Sequence, residues 1–231
     1  MPEGGYKYFF SRYEEPVAVV EPGEQVCIYT EDAFSGKVHS ESDVPSTLGT
    51  FLFNPQTGPV YVKGAEAGDT LAVKIISIEF TRDFAVSSNQ IEFGGLAANP
   101  GTRMLNPPLD EKVWIYERNG DIFTCRDNPK LTYPIRPFAG TISTAPANEV
   151  ISALSPFSQG GNMDVTDICP GNTIYLASAV DGAYFYIGDV HARQGDGELI
   201  GTALEIPAKV TLEFEVIKNK TIKWPRIEND D

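Results

Sequence analysis

Val210-Thr211-Leu212-Glu213-Phe214-Glu215-Val216 alternates apolar and polar side chains without a break. A period of two puts every apolar residue on one face of an extended chain, so the segment reads as a half-buried strand. Upstream, LAVKIISIEF (71–80) begins with the same period at Leu71, Val73 and Ile75, then continues on Ile76, Ile78 and Phe80. One extra residue in a ladder produces such a slip, and the stretch therefore predicts a β-bulge near Ile75 and Ile76. VYVKG (60–64), VWIYER (113–118), TIYLASAV (173–180), AYFYIG (183–188) and LIGTALEI (199–206) are further runs heavy in β-branched and aromatic residues. Only APANEVISALS, from Ala145, offers a helical face, through Val150, Ile151 and Leu154.

One short pattern occurs three times: EPGEQVCIYT from Glu21, EAGDTLAVKI from Glu66 and CPGNTIYLAS from Cys169. Each is a turn on Gly23, Gly68 or Gly171, followed by two polar residues and an apolar strand. The irregular spacing makes this a recurring turn before a strand, not a solenoid repeat. With 21 glycines and 17 prolines dispersed between short strands, the chain reads as an all-β sandwich or barrel. GGLAANPGTRMLNPP (94–108) has no periodicity and reads as a linker or long loop between β subdomains at 1–93 and 109–231.

Composition narrows the function. A chain of 231 residues, 42% hydrophobic, buries its own core without disulfides or a structural metal. Its net charge of −14 repels phosphate backbones and anionic lipid, which argues against nucleic acid and membrane partners. Cys27, Cys125 and Cys169 show no paired spacing, and neither a targeting segment nor an apolar run of roughly twenty residues is present. The expectation is a soluble cytoplasmic protein. Only His39 and His191 offer imidazole for metal or acid–base chemistry.

Two segments break the strand rhythm with glycine and polar residues: SQGGNMD (158–164) and GDVHARQGDGE (188–198). In an extended chain Asp189 and His191 share a face, and the turn through Arg193–Gly197 returns Glu198 alongside them. Carboxylates around an imidazole suit a divalent metal, although a glycine-rich hairpin with solvated acids has the same spacing. Gly160 and Gly161 let the chain approach a ligand closely, Asn162 adds a carboxamide, and Asp164 is a further candidate ligand. A turn in which Asn162 and Asp164 bond their own backbone is the alternative. Asp32, directly after a strand, is either a site residue or the start of a turn. His39 lies in the polar stretch SGKVHSESD and reads as solvated. With no GxSxG elbow, a serine hydrolase is poorly supported.

In order along the chain, NPQTGPVYVKGAEAGDTLAVKI (54–75), PIRPFAGTISTAPA (134–147), GGNMD (160–164) and GDVHARQGDGE (188–198) resemble the acetamidase/formamidase family. TEDAFSGKV (30–38) resembles that family's N-terminal acidic turn. The resemblance implies a mostly β protein with jelly-roll, sandwich and barrel-like parts, few short helices and a homodimeric or higher homo-oligomeric state. It also implies hydrolysis of short linear amides, such as formamide or acetamide, to a carboxylate and ammonia, with a divalent metal, zinc by preference. Carried over by position, Asp164, His191 and Asp32 are the expected metal ligands and Glu198 the general base. Asp196 shares the acidic motif and joins the catalytic set, and Asn162 with Gly160, Gly161 and Gln159 forms the substrate and oxyanion side. Departures point to the alternative of a non-catalytic ligand-binding or regulatory paralogue. Many relatives carry histidine where this chain has Gln159, and near the start where it offers Tyr6 or Tyr8. Most continue for a further α/β segment past the point matching Trp224-Pro225.

Overall fold

The alternating segment around Phe214 forms an interior strand of a five-stranded sheet. The structure, a computed structural model, describes residues 5–49, 52–91, 93–96 and 109–229. Its strands in chain order are β1 (Phe9–Phe10), β2 (Ala18–Val20), β3 (Gln25–Thr30), β4 (Gln56–Val62), β5 (Thr70–Phe80) and β6 (Phe84–Asn89). Then come β7 (Lys112–Asn119), β8 (Ile122–Cys125), β9 (Thr132–Pro134), β10 (Phe138–Ser143) and β11 (Ile151–Ser152). The last are β12 (Gly160–Asn162), β13 (Thr173–Ala177), β14 (Phe185–His191), β15 (Ala208–Ile217) and β16 (Arg226–Glu228).

Strand β15 pairs antiparallel with β5 on one side and β3 on the other, within a sheet ordered β16-β13-β5-β15-β3. Thr211 faces Ser77 while Leu212 faces Ile75, so Ile76 is the extra residue and the bulge lies where the phase of LAVKIISIEF slips. A second sheet, ordered β12-β10-β14-β4-β2, packs on the first. Leu71, Val73, Leu212 and Phe214 from one sheet and Val60, Ile142, Phe185 and Ile187 from the other share one buried cluster. Phe185 and Phe214 meet edge to face across it, centroids 5.0 Å apart. This is a sandwich with no closed barrel among the described residues. Both five-stranded sheets draw strands from 1–93 and from 109–231, and residues 97–108 of the expected linker lie outside the described residues.

The three recurring turns are the same turn. In each, the fourth residue's N–H bonds the first residue's carbonyl: Glu24 to Glu21, Asp69 to Glu66 and Asn172 to Cys169. The third residue is glycine at φ +85°, +98° and +97°, the value a type II turn demands. Each glycine N–H also donates at 2.8 Å to a neighbouring segment, at Phe214, Ser178 and Ile75 respectively. The turns thereby set where β3, β5 and β13 begin.

Two expectations are corrected. APANEVISALS forms no helix; Ile151–Ser152 pairs with Phe9–Phe10 as a small separate sheet, because cross-strand bonds there outweigh a weak amphipathic pattern. The described residues hold one 3₁₀ turn, Pro45–Thr47, and no helix long and apolar enough to cross a membrane. LIGTALEI is not a strand either. Gly201 turns the chain at φ +83°, and the segment after it wedges between β6 and β14, with Glu205 bridging to both Val86 and His191. That wedge connects the four-stranded sheet β6-β7-β8-β9 to the sandwich and carries Glu205 inward.

Candidate metal centre

Asp164 follows β12, Gly140 lies in β10, and Asp189 and His191 belong to β14, the strand on the other side of β10. The N–H groups of Met163 and Asp164 both donate to the Gly140 carbonyl at 3.1 Å, which ties the GGNMD segment to the middle of the sheet. Asp164 and Asp189 adopt left-handed backbone, φ +51° and +55°, a conformation aspartate tolerates better than most residues. Glu198 arrives on the turn after Gly195, and Glu205 on the wedge.

Ligand atoms of Asp164, Asp189 and His191 lie within 4.8 Å of one another, as do those of His191, Glu198 and Glu205. His191 Nε2 is 3.2 Å from Glu205 Oε2 and 3.4 Å from Asp189 Oδ1. The outer oxygens are held by the protein: Asp189 Oδ2 accepts from Asn54 Nδ2 and Thr141 Oγ1 at 3.0 Å each, and Glu205 Oε1 accepts from the Ala203 N–H at 2.7 Å. The inner atoms are not. Asp164 Oδ1, His191 Nε2 and Glu205 Oε2 are buried without an aligned hydrogen bond. Orphaned lone-pair donors aimed at one another are the arrangement a cation satisfies.

Charge gives the same answer. Burial, then the Asp189 charge, pushes the Asp164 carboxyl up to about 7. Burial raises Glu205 to about 7, and burial followed by the neighbouring Glu205 charge raises Glu198 to about 9. Burial works against charge on His191, yet Glu205 and Asp189 hold its imidazolium well above the ordinary range. Burial likewise opposes charge on Asp189, but the neighbouring His191 charge and the hydrogen bond from Thr141 keep it low. Four carboxylates crowd one imidazole in a place water reaches poorly, and a divalent cation relieves that crowding directly.

A small cleft opens onto this group. Asn162, Asp189, Glu198 and Glu205 line it together with the aromatic side chains of Phe34, Phe53 and Phe93. Asn162 Oδ1 accepts from Asn54 Nδ2 and shares the single Thr141 hydroxyl hydrogen with Asp189 Oδ2, which leaves its Nδ2 hydrogens as the free end of the carboxamide.

The sequence profile of the acetamidase/formamidase family matches residues 9–156 and 151–229. The chain belongs to this family. It is similar to the crystal structure of an acetamidase from Yersinia enterocolitica, with a TM-score of 0.91 and 40% identity over 98% of this chain and 69% of that one. It is 32% identical to an acetamidase of Mycolicibacterium smegmatis and 24% identical to a formamidase of Methylophilus methylotrophus, covering 87% and 90% of this chain. It spans about three fifths of the length of these curated relatives, 63% of each.

In this acetamidase/formamidase chain the structure brings Asp164, His191, Glu198 and Asn162 to one place and leaves other expected residues outside it. Asp32 lies outside both ligand groups: it is fully buried, pairs with Arg82 Nη1 at 2.7 Å, and accepts from the Phe34 and Gly36 N–H groups. Asp32→Ala is expected to cost about 3 kcal/mol, because it strands a largely buried guanidinium, with zinc affinity unchanged; a denaturant melt beside a zinc titration checks both. Loss of zinc with stability intact would restore Asp32 as a ligand. Asp196 is exposed and lines a separate surface cavity with Arg136 and Arg193. The Gly160 N–H bonds the Phe157 carbonyl at 3.1 Å, and Gly161 packs its Cα against the Ser155 carbonyl. Gln159 is buried, and neither end of its side chain has a partner. Sequence reasoning missed Glu205, whose one signal is a carboxylate set between Leu204 and Ile206 in an otherwise apolar run.

Proposed function

We propose that this chain hydrolyses short linear amides, such as formamide or acetamide, to a carboxylate and ammonia with a divalent cation, zinc by preference. The observation that carries the reading is the convergence of Asp164 Oδ1, His191 Nε2 and Glu205 Oε2, all buried and unpartnered, beside a cleft that Glu198, Asn162 and Glu205 line. Asp164, Asp189, His191 and Glu205 would hold the ion. Once bound, it supplies Lewis-acid polarisation of the amide carbonyl.

The chain's own groups supply the rest. Phe34, Phe53 and Phe93 wall the cleft and favour a small acyl group. The free Nδ2 hydrogens of Asn162 face the negative charge that develops on the carbonyl oxygen as water adds to the carbonyl carbon. Glu198 takes the proton from that water and hands it to the amide nitrogen as the C–N bond breaks. Carboxylate and amine leave, and no other reactant is consumed. Burial and the Glu205 charge keep the Glu198 carboxyl protonated, and beside a bound cation it would fall toward the range in which it can both take and return a proton.

The test is ammonia release from formamide, acetamide and propionamide by the purified chain, after chelation and after readdition of zinc, cobalt or manganese. Turnover that disappears with chelator and returns with metal is expected. No ammonia from any amide under any metal condition would sink the reading and leave the binding-paralogue alternative.

A further inference from the structure

We infer that Gln194 is the positioning residue of the metal centre: it fixes which nitrogen His191 turns toward the carboxylates and couples that imidazole to the backbone of Asp164. The inference rests on the metal-centre reading above.

Gln194 Nε2 donates to the Asp164 carbonyl at 3.0 Å. A carbonyl only accepts, so the carboxamide has one orientation, with Oε1 toward His191 Nδ1 at 3.0 Å. That oxygen also only accepts, so Nδ1 carries the hydrogen. In the neutral ring that a metal would bind, Nε2 is the atom left with a lone pair, and it faces Glu205 Oε2 and Asp189 Oδ1. Phe138 fixes the tilt of the imidazole, its ring standing at 89° to that of His191 with centroids 5.0 Å apart. The orienting partner of a metal-bound histidine is commonly a carboxylate. A carboxylate here would set a fifth acid beside Asp164, Asp189, Glu198 and Glu205. The neutral carboxamide of Gln194, buried beside them, orients the ring without that cost.

The experiment uses the full chain with zinc as probe and has two readouts: the zinc dissociation constant by calorimetry, and two-bond ¹H–¹⁵N spectra of the zinc-loaded protein. Since the chain has two histidines, His191 is readily assigned. In the unmodified chain Nδ1 is expected to be protonated and Nε2 shifted by the metal. Gln194→Leu should weaken zinc binding by about 10–100-fold and scramble that nitrogen pattern. Gln194→Glu, which keeps an acceptor for Nδ1–H, should retain the pattern and lose less than about tenfold. Equal zinc affinity and the same nitrogen pattern in Gln194→Leu would overturn the inference, even if its melting temperature falls. So would a Gln194→Glu spectrum with Nδ1 unprotonated, a result obtainable should the leucine variant not fold. An unmodified chain that binds no zinc would overturn the metal-centre reading and the inference together.

Discussion

His191→Ala is expected to abolish zinc binding and to lower amide turnover by roughly a thousandfold or more, since a metal's share of transition-state stabilisation is several kcal/mol and each 1.4 kcal/mol is tenfold. The effect is this large because His191 belongs to both ligand groups: it stands with Asp164 and Asp189 on one side and with Glu198 and Glu205 on the other. No second imidazole can substitute. His39 lies well away, in a loop where its own N–H bonds Asp43 and its ring meets Phe84. Removing His191 also takes out the cationic partner that Glu205 and Asp189 hold in the absence of metal, so the variant's melting temperature should fall most in chelator. His39→Ala is the matched control and should leave turnover and zinc affinity unchanged. Full turnover in His191→Ala under chelator would remove the metal from the account. Zinc-dependent turnover that survives the substitution would move the ligand set elsewhere.

What could be read from the sequence divides by range. The period-two pattern at 210–216, the phase slip at Ile75 and Ile76, and the three glycine turns are local properties, and each appears in the structure where the chain places it. They depend on the backbone's own rules, so neighbours in space do not override them. The segments that misled are those in which distant contacts decide. LIGTALEI has the composition of a strand, but Thr202 Oγ1 accepts from the Ser88 N–H and donates to the Ser88 carbonyl, and Glu205 pairs with Val86 across more than a hundred residues. Those bonds fasten the segment as a wedge. The site divides in the same way. Asp189, His191 and Glu198 lie within ten residues and show their proximity through a turn, whereas Glu205 enters from the wedge and Asn54 from the segment before β4, 135 residues ahead of Asp189. Asp32 is the opposite case: an acid after a strand resembles a ligand in sequence, and the ion pair it makes is with Arg82, fifty residues away.

Gly140→Ala is expected to leave a folded protein that binds zinc at least a hundredfold more weakly and turns over amide correspondingly less. Gly140 is not among the residues in left-handed backbone, so alanine meets no conformational penalty there. The obstacle is space. A Cβ at this position would lie 2.8 Å from Asp164 Oδ1, 2.8 Å from His191 Cε1 and 2.9 Å from Asp189 Oδ2, closer than carbon tolerates and against three members of the ligand group at once. Asp189 is held by Asn54 and Thr141 and His191 is clamped between Gln194 and Phe138, so the unpartnered Asp164 Oδ1 is the atom that must swing away from the other two. Relief must spread them apart, which dismantles the site and not the sandwich. Overpacking of this kind costs about 1–3 kcal/mol, and at about 2–4 °C per kcal/mol for a chain of this size the melting temperature should fall modestly. A thermal melt, a zinc titration and an ammonia assay on the same preparation separate the terms. Unchanged zinc affinity in a folded Gly140→Ala protein would mean that the ligand atoms do not have to meet above this glycine, and the assignment of the centre would fail with it.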